Sequence, residues 1–169
     1  MAPSQENTIH FDQEFVLATE NEHPDYSLTI DILSDLYAIR FRSYFCYLED
    51  WNPYTDVQGV QLRTLAKRTA KHNELAMLDL SNLLAGMGAT PKKRQFPQTD
   101  MHSTYTSWEN ILPHLVESQK EIVNATEIAL SALATAPAEE CVRPTLEKHL
   151  TDDRQALKQL EQYLKEVKK

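Results

Sequence analysis

The sequence predicts an all-α fold, a four-helix bundle, on three observations. Glycine is nearly absent, with Gly59, Gly86 and Gly88 the only three, whereas ordinary domains carry roughly 7%. Four long stretches repeat apolar residues every three or four positions, the period of a helix. The connections between those stretches run short, long, short. The missing glycine excludes a G-x-G-x-x-G or P-loop nucleotide site, whose spacings these positions do not supply. It also argues against a hairpin-rich β domain. A chain of 169 residues, 41% hydrophobic, suits one globular domain.

Residues 1–26 read as an acidic N-terminal arm and residues 27–169 as the bundle domain. The first 39 residues hold eight acids (Glu6, Asp12, Glu14, Glu20, Glu22, Asp25, Asp31, Asp35) and no Lys or Arg. That block accounts for the whole formal charge of −8. Phe11, Phe15 and Leu17 form either a short amphipathic turn packed on the domain or part of a mobile arm. An acidic arm repels phosphate backbones, so no nucleic acid is expected as a partner. The compact basic run Lys92-Lys93-Arg94 falls in a loop and reads as solvated. No run of ~18 apolar residues exists, so no membrane span is expected. The opening Met1-Ala2-Pro3-Ser4 lacks the regions of a secretory signal. Cys46 and Cys141 are too few for a disulfide framework. The expected setting is the cytoplasm, with both thiols reduced.

The first helix is expected over residues 27–50. Ile30, Leu33, Tyr37, Phe41, Tyr44 and Leu48 form one apolar row, and Ile32, Leu36, Ile39 and Cys46 a second beside it. Two rows exceed what a one-sided helix needs, so part of this helix is expected to face a second subunit, with Phe41, Tyr44 or Phe45 at the contact. The expected assembly is a homodimer or a larger closed homo-oligomer. Trp51-Asn52-Pro53 stops the helix. The second helix is expected over residues 58–87, with Leu62, Leu65, Thr69, His72, Ala76, Leu80, Leu83 and Met87 along its seam. Gly86-Met87-Gly88 and Pro91 end it.

A loop of about 17 residues follows and, at ~3.3 Å per residue, is long enough to return along the rod. The third helix is expected over residues 106–134. Thr106 and Glu109 have capping-box spacing, and Pro113 kinks the helix or marks its true start. Its seam is Trp108, Leu112, Leu115, Gln119, Ile122, Thr126, Ala129 and Leu133. Ala136-Pro137 breaks the chain before a fourth helix over residues 138–167. Val142, Leu146, His149, Asp153, Leu157, Leu160, Leu164 and Val167 line it.

Short-long-short connections between four such helices resemble the ferritin-like superfamily. So do residues 62–75 (Leu62-Arg63-Thr64-Leu65 through His72-Asn73-Glu74-Leu75) with their Gly86-Met87-Gly88 ending. Thr145-Leu146-Glu147-Lys148-His149-Leu150 and residues 155–161 look like the fourth helix of small bacterial, stress-associated members. The resemblance covers residues 28–167 and implies a long crossover between helices two and three. Asp50-Trp51-Asn52 and Gly59 are similar to a stretch of the starvation-type DNA-protection ferritins. That family's His is Asp50 here, and its Leu-His is Leu62-Arg63, so its intersubunit iron site does not carry over. The di-iron signature, Glu-x-x-His on two helices, is also missing: Thr69 precedes His72 by three, and Leu146 precedes His149. Glu20-Asn21-Glu22-His23 matches by chance, ahead of Pro24.

One polar constellation interrupts the seams. The helix midpoints fall near Ile39, Asn73, Lys120 and Asp153, and His72, Gln119, His149 and Asp153 lie close to that level. His149 and Asp153, at i,i+4, share a face. Three readings stay open. One is a buried hydrogen-bond network joined by Arg40, Thr69 or Tyr37. Another is a metal site of His72, His149 and Asp153, with Gln119 behind them, suited to Fe, Mn or Zn. The third is a register that leaves some of these side chains outside. Two functions follow from them. The first is a non-catalytic, stress-related bundle acting through oligomerisation or partner binding. The alternative is a metal-binding iron-handling protein or oxidoreductase using the His/Asp cluster. Removing metals or adding them separates the two.

Overall fold

The structure is a computed structural model and describes residues 25–48, 59–91 and 107–167. The acidic arm up to residue 24, the Trp51-Asn52-Pro53 stop, Lys92-Lys93-Arg94 and most of the long loop lie outside the described residues. What is described is all-helical. It comprises α1 (Ser27–Phe41), a 3₁₀ segment (Tyr44–Tyr47), α2 (Gly59–Gly86), α3 (Trp108–Leu133) and α4 (Glu139–Val167), with no β-strand among the described residues. No described helix is long and apolar enough to cross a membrane.

The first helix is shorter than its apolar pattern predicts. It ends at Phe41, and Ser43 adopts an extended conformation (φ −67°, ψ 151°). A continuing helix would join the Tyr44 N–H to the Arg40 carbonyl. Here the Asn73 side-chain amide and the Cys46 thiol both donate to the Arg40 carbonyl, at 3.2 and 3.3 Å. The Tyr44 N–H instead donates to Ser118 Oγ at 3.2 Å. Both backbone groups are satisfied by α2, α3 and the 3₁₀ segment, so the turn leaves neither unpaired. The 3₁₀ segment still delivers Phe45 and Leu48 to the interior, 2% and 1% exposed. Phe45 is therefore a core residue and not the intersubunit contact the sequence suggested, whereas Phe41 and Tyr44 are half-buried.

α2 ends as its Gly pair predicts. Gly88 has φ +74°, the Ala89 N–H reaches the Leu84 carbonyl and the Gly88 N–H that of Ala85. This is the Schellman arrangement, which favours glycine because it needs a left-handed residue. α3 starts at Ser107, extended and without a side-chain cap bond, and Thr106 of the expected capping box lies outside the described residues. Pro113 lies within α3, and the carbonyl its missing N–H would have met belongs to solvent-exposed Glu109. At the entry to α4, Ala138 takes a left-handed φ of 68° and its carbonyl receives the N–H groups of Cys141 and Val142. Thr29 Oγ1 donates to the Pro137 carbonyl at 2.5 Å, which ties the start of α1 to that turn.

Paired side chains fix the helix directions. Gln61 meets Tyr163, Arg68 meets Gln159 and Asp79 meets His149, so α2 and α4 run antiparallel. Arg143 reaches Leu130, and Lys120 reaches Glu161, so α3 and α4 are antiparallel too. Two apolar clusters hold the helices together. One gathers Phe45, Leu62, Trp108, Leu112, Leu115 and Leu160; the other gathers Leu33, Leu36, Leu80, Leu84, Leu133 and Leu146. Each buried leucine contributes about 1.5–3 kcal/mol, and truncating fully buried Leu112 to alanine costs about 2–5 kcal/mol.

Candidate functional site

A polar layer separates the two apolar clusters, and Arg40 is its hub. The last turn of α1 carries this guanidinium inward, and the residue is 0% exposed. Its Nη2 lies 2.5 Å from Asp153 Oδ2 and its Nη1 3.4 Å from Oδ1, a two-point pairing with α4. Nη1 also donates to Asn73 Oδ1 of α2 at 3.3 Å, and Nη2 faces Thr126 Oγ1 of α3 at 3.5 Å. One side chain thus engages the other three helices. Asp153, 1% exposed, gathers further donors. Gln119 Nε2 lies 3.1 Å from its Oδ1 and 3.2 Å from its main-chain oxygen.

The two imidazoles flank this pair, their rings edge to face with centroids 6.3 Å apart. His72 Nε2 stands 3.3 Å from Asp153 Oδ1, off the line of a hydrogen bond. Its Nδ1 is 4.0 Å from Asp152 on the surface. His149 Nε2 lies 3.0 Å from Asp79 Oδ2. Burial lowers the His149 pKa most; Asp79 pulls it up, Arg40 pushes it down, and the net result is below the ordinary imidazole value of 6.5. The ring is therefore neutral at pH 7. Its proton sits on Nε2, because a carboxylate only accepts. Burial alone would raise the Asp153 carboxyl, but His72 and Arg40 outweigh it and hold it below the usual 3.8.

All four residues singled out from the sequence come together here. Gln119, His149 and Asp153 are buried, while His72 is 24% exposed and opens onto a groove between α2 and α4. The arrangement does not suit a metal ion. Asp153 already binds a guanidinium, and His149 turns Nε2 toward Asp79. Among the described residues, no three His, Cys, Asp or Glu side chains are placed to hold a metal ion. A metal beside Asp153 would meet the positive charge of Arg40, so no chemical step is assigned to one. Sequence reasoning missed Asn73 and Asp79 as members. Asn73 sits at the calculated midpoint of α2, the one available signal; Asp79 is half-buried and off the apolar seam.

No protein family, characterised protein or solved structure matches the chain.

Proposed function

We propose that this chain is a non-catalytic four-helix bundle of the ferritin-like type, acting through self-association or partner binding in the stress-related setting that its resemblance implies. The observation that carries this reading is the centre itself. The level at which such bundles place metal ligands holds an arginine paired to an aspartate, with supports from α2 and α3. The Arg40–Asp153 pair with its hydrogen bonds to Asn73 and Gln119 is suited to fixing helix register, and the guanidinium occupies the carboxylate that a metal would need. The long crossover is supported by direction: α2 and α3 each run antiparallel to α4. Self-association is supported by Leu75 and Leu78, neighbours on the outward side of α2 that are 50% and 55% exposed.

Two measurements test the reading. Elemental analysis of untagged protein is expected to find no stoichiometric transition metal; one Fe, Mn or Zn per chain would overturn it. Light scattering is expected to give a dimer or larger closed assembly, and Leu75→Asp with Leu78→Asp to give a monomer. A monomeric wild type at high micromolar concentration would refute self-association and leave partner binding.

A further inference from the structure

Two imidazole–carboxylate contacts of opposite sense cross the seam between α2 and α4. His72 of α2 faces Asp152 and Asp153 of α4, and Asp79 of α2 receives His149 of α4. Grooves open along the seam on either side of these contacts. One is lined by Arg68, His72, Asp152 and Gln155, the other by Asp79, Leu83, Thr145 and Lys148. The His149 side chain is 2% exposed, whereas that of Asp79 is 47% exposed and stands at the surface. An inner group is thus held by an outer one. The His149 Nε2–H is committed to Asp79, and Nδ1, sealed from solvent, has no hydrogen-bond partner among the described residues. A proton added to Nδ1 would make it a buried donor with nothing to receive it. It would also place an imidazolium in the layer that already holds Arg40.

The charges that bear on this ring come from three helices. Arg40 of α1 opposes a cation there, while Asp79 of α2 and Asp153 of α4 favour one. His72 of α2 meets the ring edge to face, and α3 brings the neutral Gln119 and Thr126 to the layer. We propose that the seam is a proton-operated opening: on taking up a proton, the His149 ring leaves the layer toward Asp79 and the groove beside it, and the middle of the α2–α4 seam admits water while the two apolar clusters stay closed. Movement toward Asp79 keeps the imidazolium beside its carboxylate and lets water receive the Nδ1–H. The ends of α2 hold because Leu62 and Leu65 lie in one apolar cluster and Leu80 and Leu84 in the other, and burial of leucine does not titrate. Burial outweighs the carboxylates and keeps the closed ring neutral at pH 7. The open ring takes its proton nearer the ordinary imidazole value, so opening sets in as pH falls below about 6.5. The event is local, one stretch of two helices giving way within a folded molecule. This inference concerns the seam alone and does not rest on the assembly proposed above.

Amide hydrogen exchange of the full-length chain at pH 7.5 and 5.5, corrected for the pH dependence of the intrinsic rate, tests it. Protection over residues 75–80 and 146–153 should fall several-fold at the lower pH, with residues 62–66 and 111–116 unchanged. His149→Gln should erase the difference. Asp79→Asn, a change at the surface, removes a contact that favours the protonated ring. It should therefore shift the loss of protection to lower pH, and the His149 titration read by NMR of its ring protons should shift with it. The proposal is overturned if protection falls equally over all four helices, or does not differ between the two pH values. It is equally overturned if His149→Gln, shown folded by circular dichroism, keeps the response, or if Asp79→Asn leaves its midpoint where it was.

Discussion

Asn73 grips Arg40 at both ends. Its Oδ1 accepts from the guanidinium at 3.3 Å, and its Nδ2 donates to the Arg40 main-chain carbonyl at 3.2 Å. The same Nδ2 lies 3.2 Å from Ser43 Oγ. One buried amide, 2% exposed, therefore both orients the central cation and stops α1.

Asn73→Ala should lower stability by about 1–3 kcal/mol, the cost of leaving buried partners unpaired. Asn73→Asp keeps the acceptor and loses the donor. It should restore the contact to the guanidinium but not the α1 stop. Urea denaturation monitored by circular dichroism reads the first effect, and amide exchange at residues 43–46 reads the second.

Removing either partner of the central pair strands a charge in the interior. Arg40→Met and Asp153→Leu should each cost about 3–5 kcal/mol. The double replacement should cost less than either single change, because nothing charged is then left behind. A double variant as unstable as the sum of the singles would show that the two side chains do not interact.

Stability should fall on acidification in two windows. His149 binds a proton more readily unfolded, near pH 6.5, than folded. Its contribution is complete above pH 6.5 and declines as pH drops from there toward the lower native pKa. Asp153 adds a second loss, starting below 3.8 and continuing through its depressed native pKa. His149→Gln should remove the first decline, the one that sets in as pH falls below about 6.5, while leaving the acid limb in place. Unfolding midpoints measured across that range for both proteins check it; identical slopes would exclude His149 as the titrating group.

The two thiols should differ in reactivity. Cys141 is exposed, whereas Cys46 is half-buried and burial pushes its pKa up, so iodoacetamide should label Cys141 well before Cys46. Mild oxidation should give no intramolecular bridge. Cys46 sits at the level of Asn73 and Arg40, and Cys141 lies twelve residues before Asp153, about 18 Å along α4. A disulfide needs Cα atoms within ~7 Å.

The helices from residue 59 onward were legible because their seams keep the helical period on both sides of the polar level, and Gly86-Met87-Gly88 and Ala136-Pro137 mark the breaks after α2 and α3. The stop of α1 was not. Ser43 is neither Gly nor Pro, and Tyr44, Phe45 and Leu48 keep the spacing of a helix while the chain turns beneath them. What stops α1 is supplied by Asn73 and Ser118, 30 or more positions away in sequence. The polar centre shows the same division. His149 and Asp153 were legible as an i,i+4 pair on a seam, and His72 and Gln119 by level. Which of them met a cation, and which cation, depended on Arg40 being turned inward by a neighbouring helix.

The ion pair at the centre joins residues 113 apart in sequence, and this has a kinetic meaning. In a partly assembled chain, Arg40 and Asp153 remain solvated and neither gains from the other. The attraction is realised only when α1 and α4 have closed over the dry interior, late in assembly. An interaction absent from the transition state does not speed folding; it slows the reverse reaction. Arg40 and Asp153 are therefore expected to act as a latch, set after the apolar faces have met, so that Arg40→Met with Asp153→Leu should change the unfolding rate more than the folding rate.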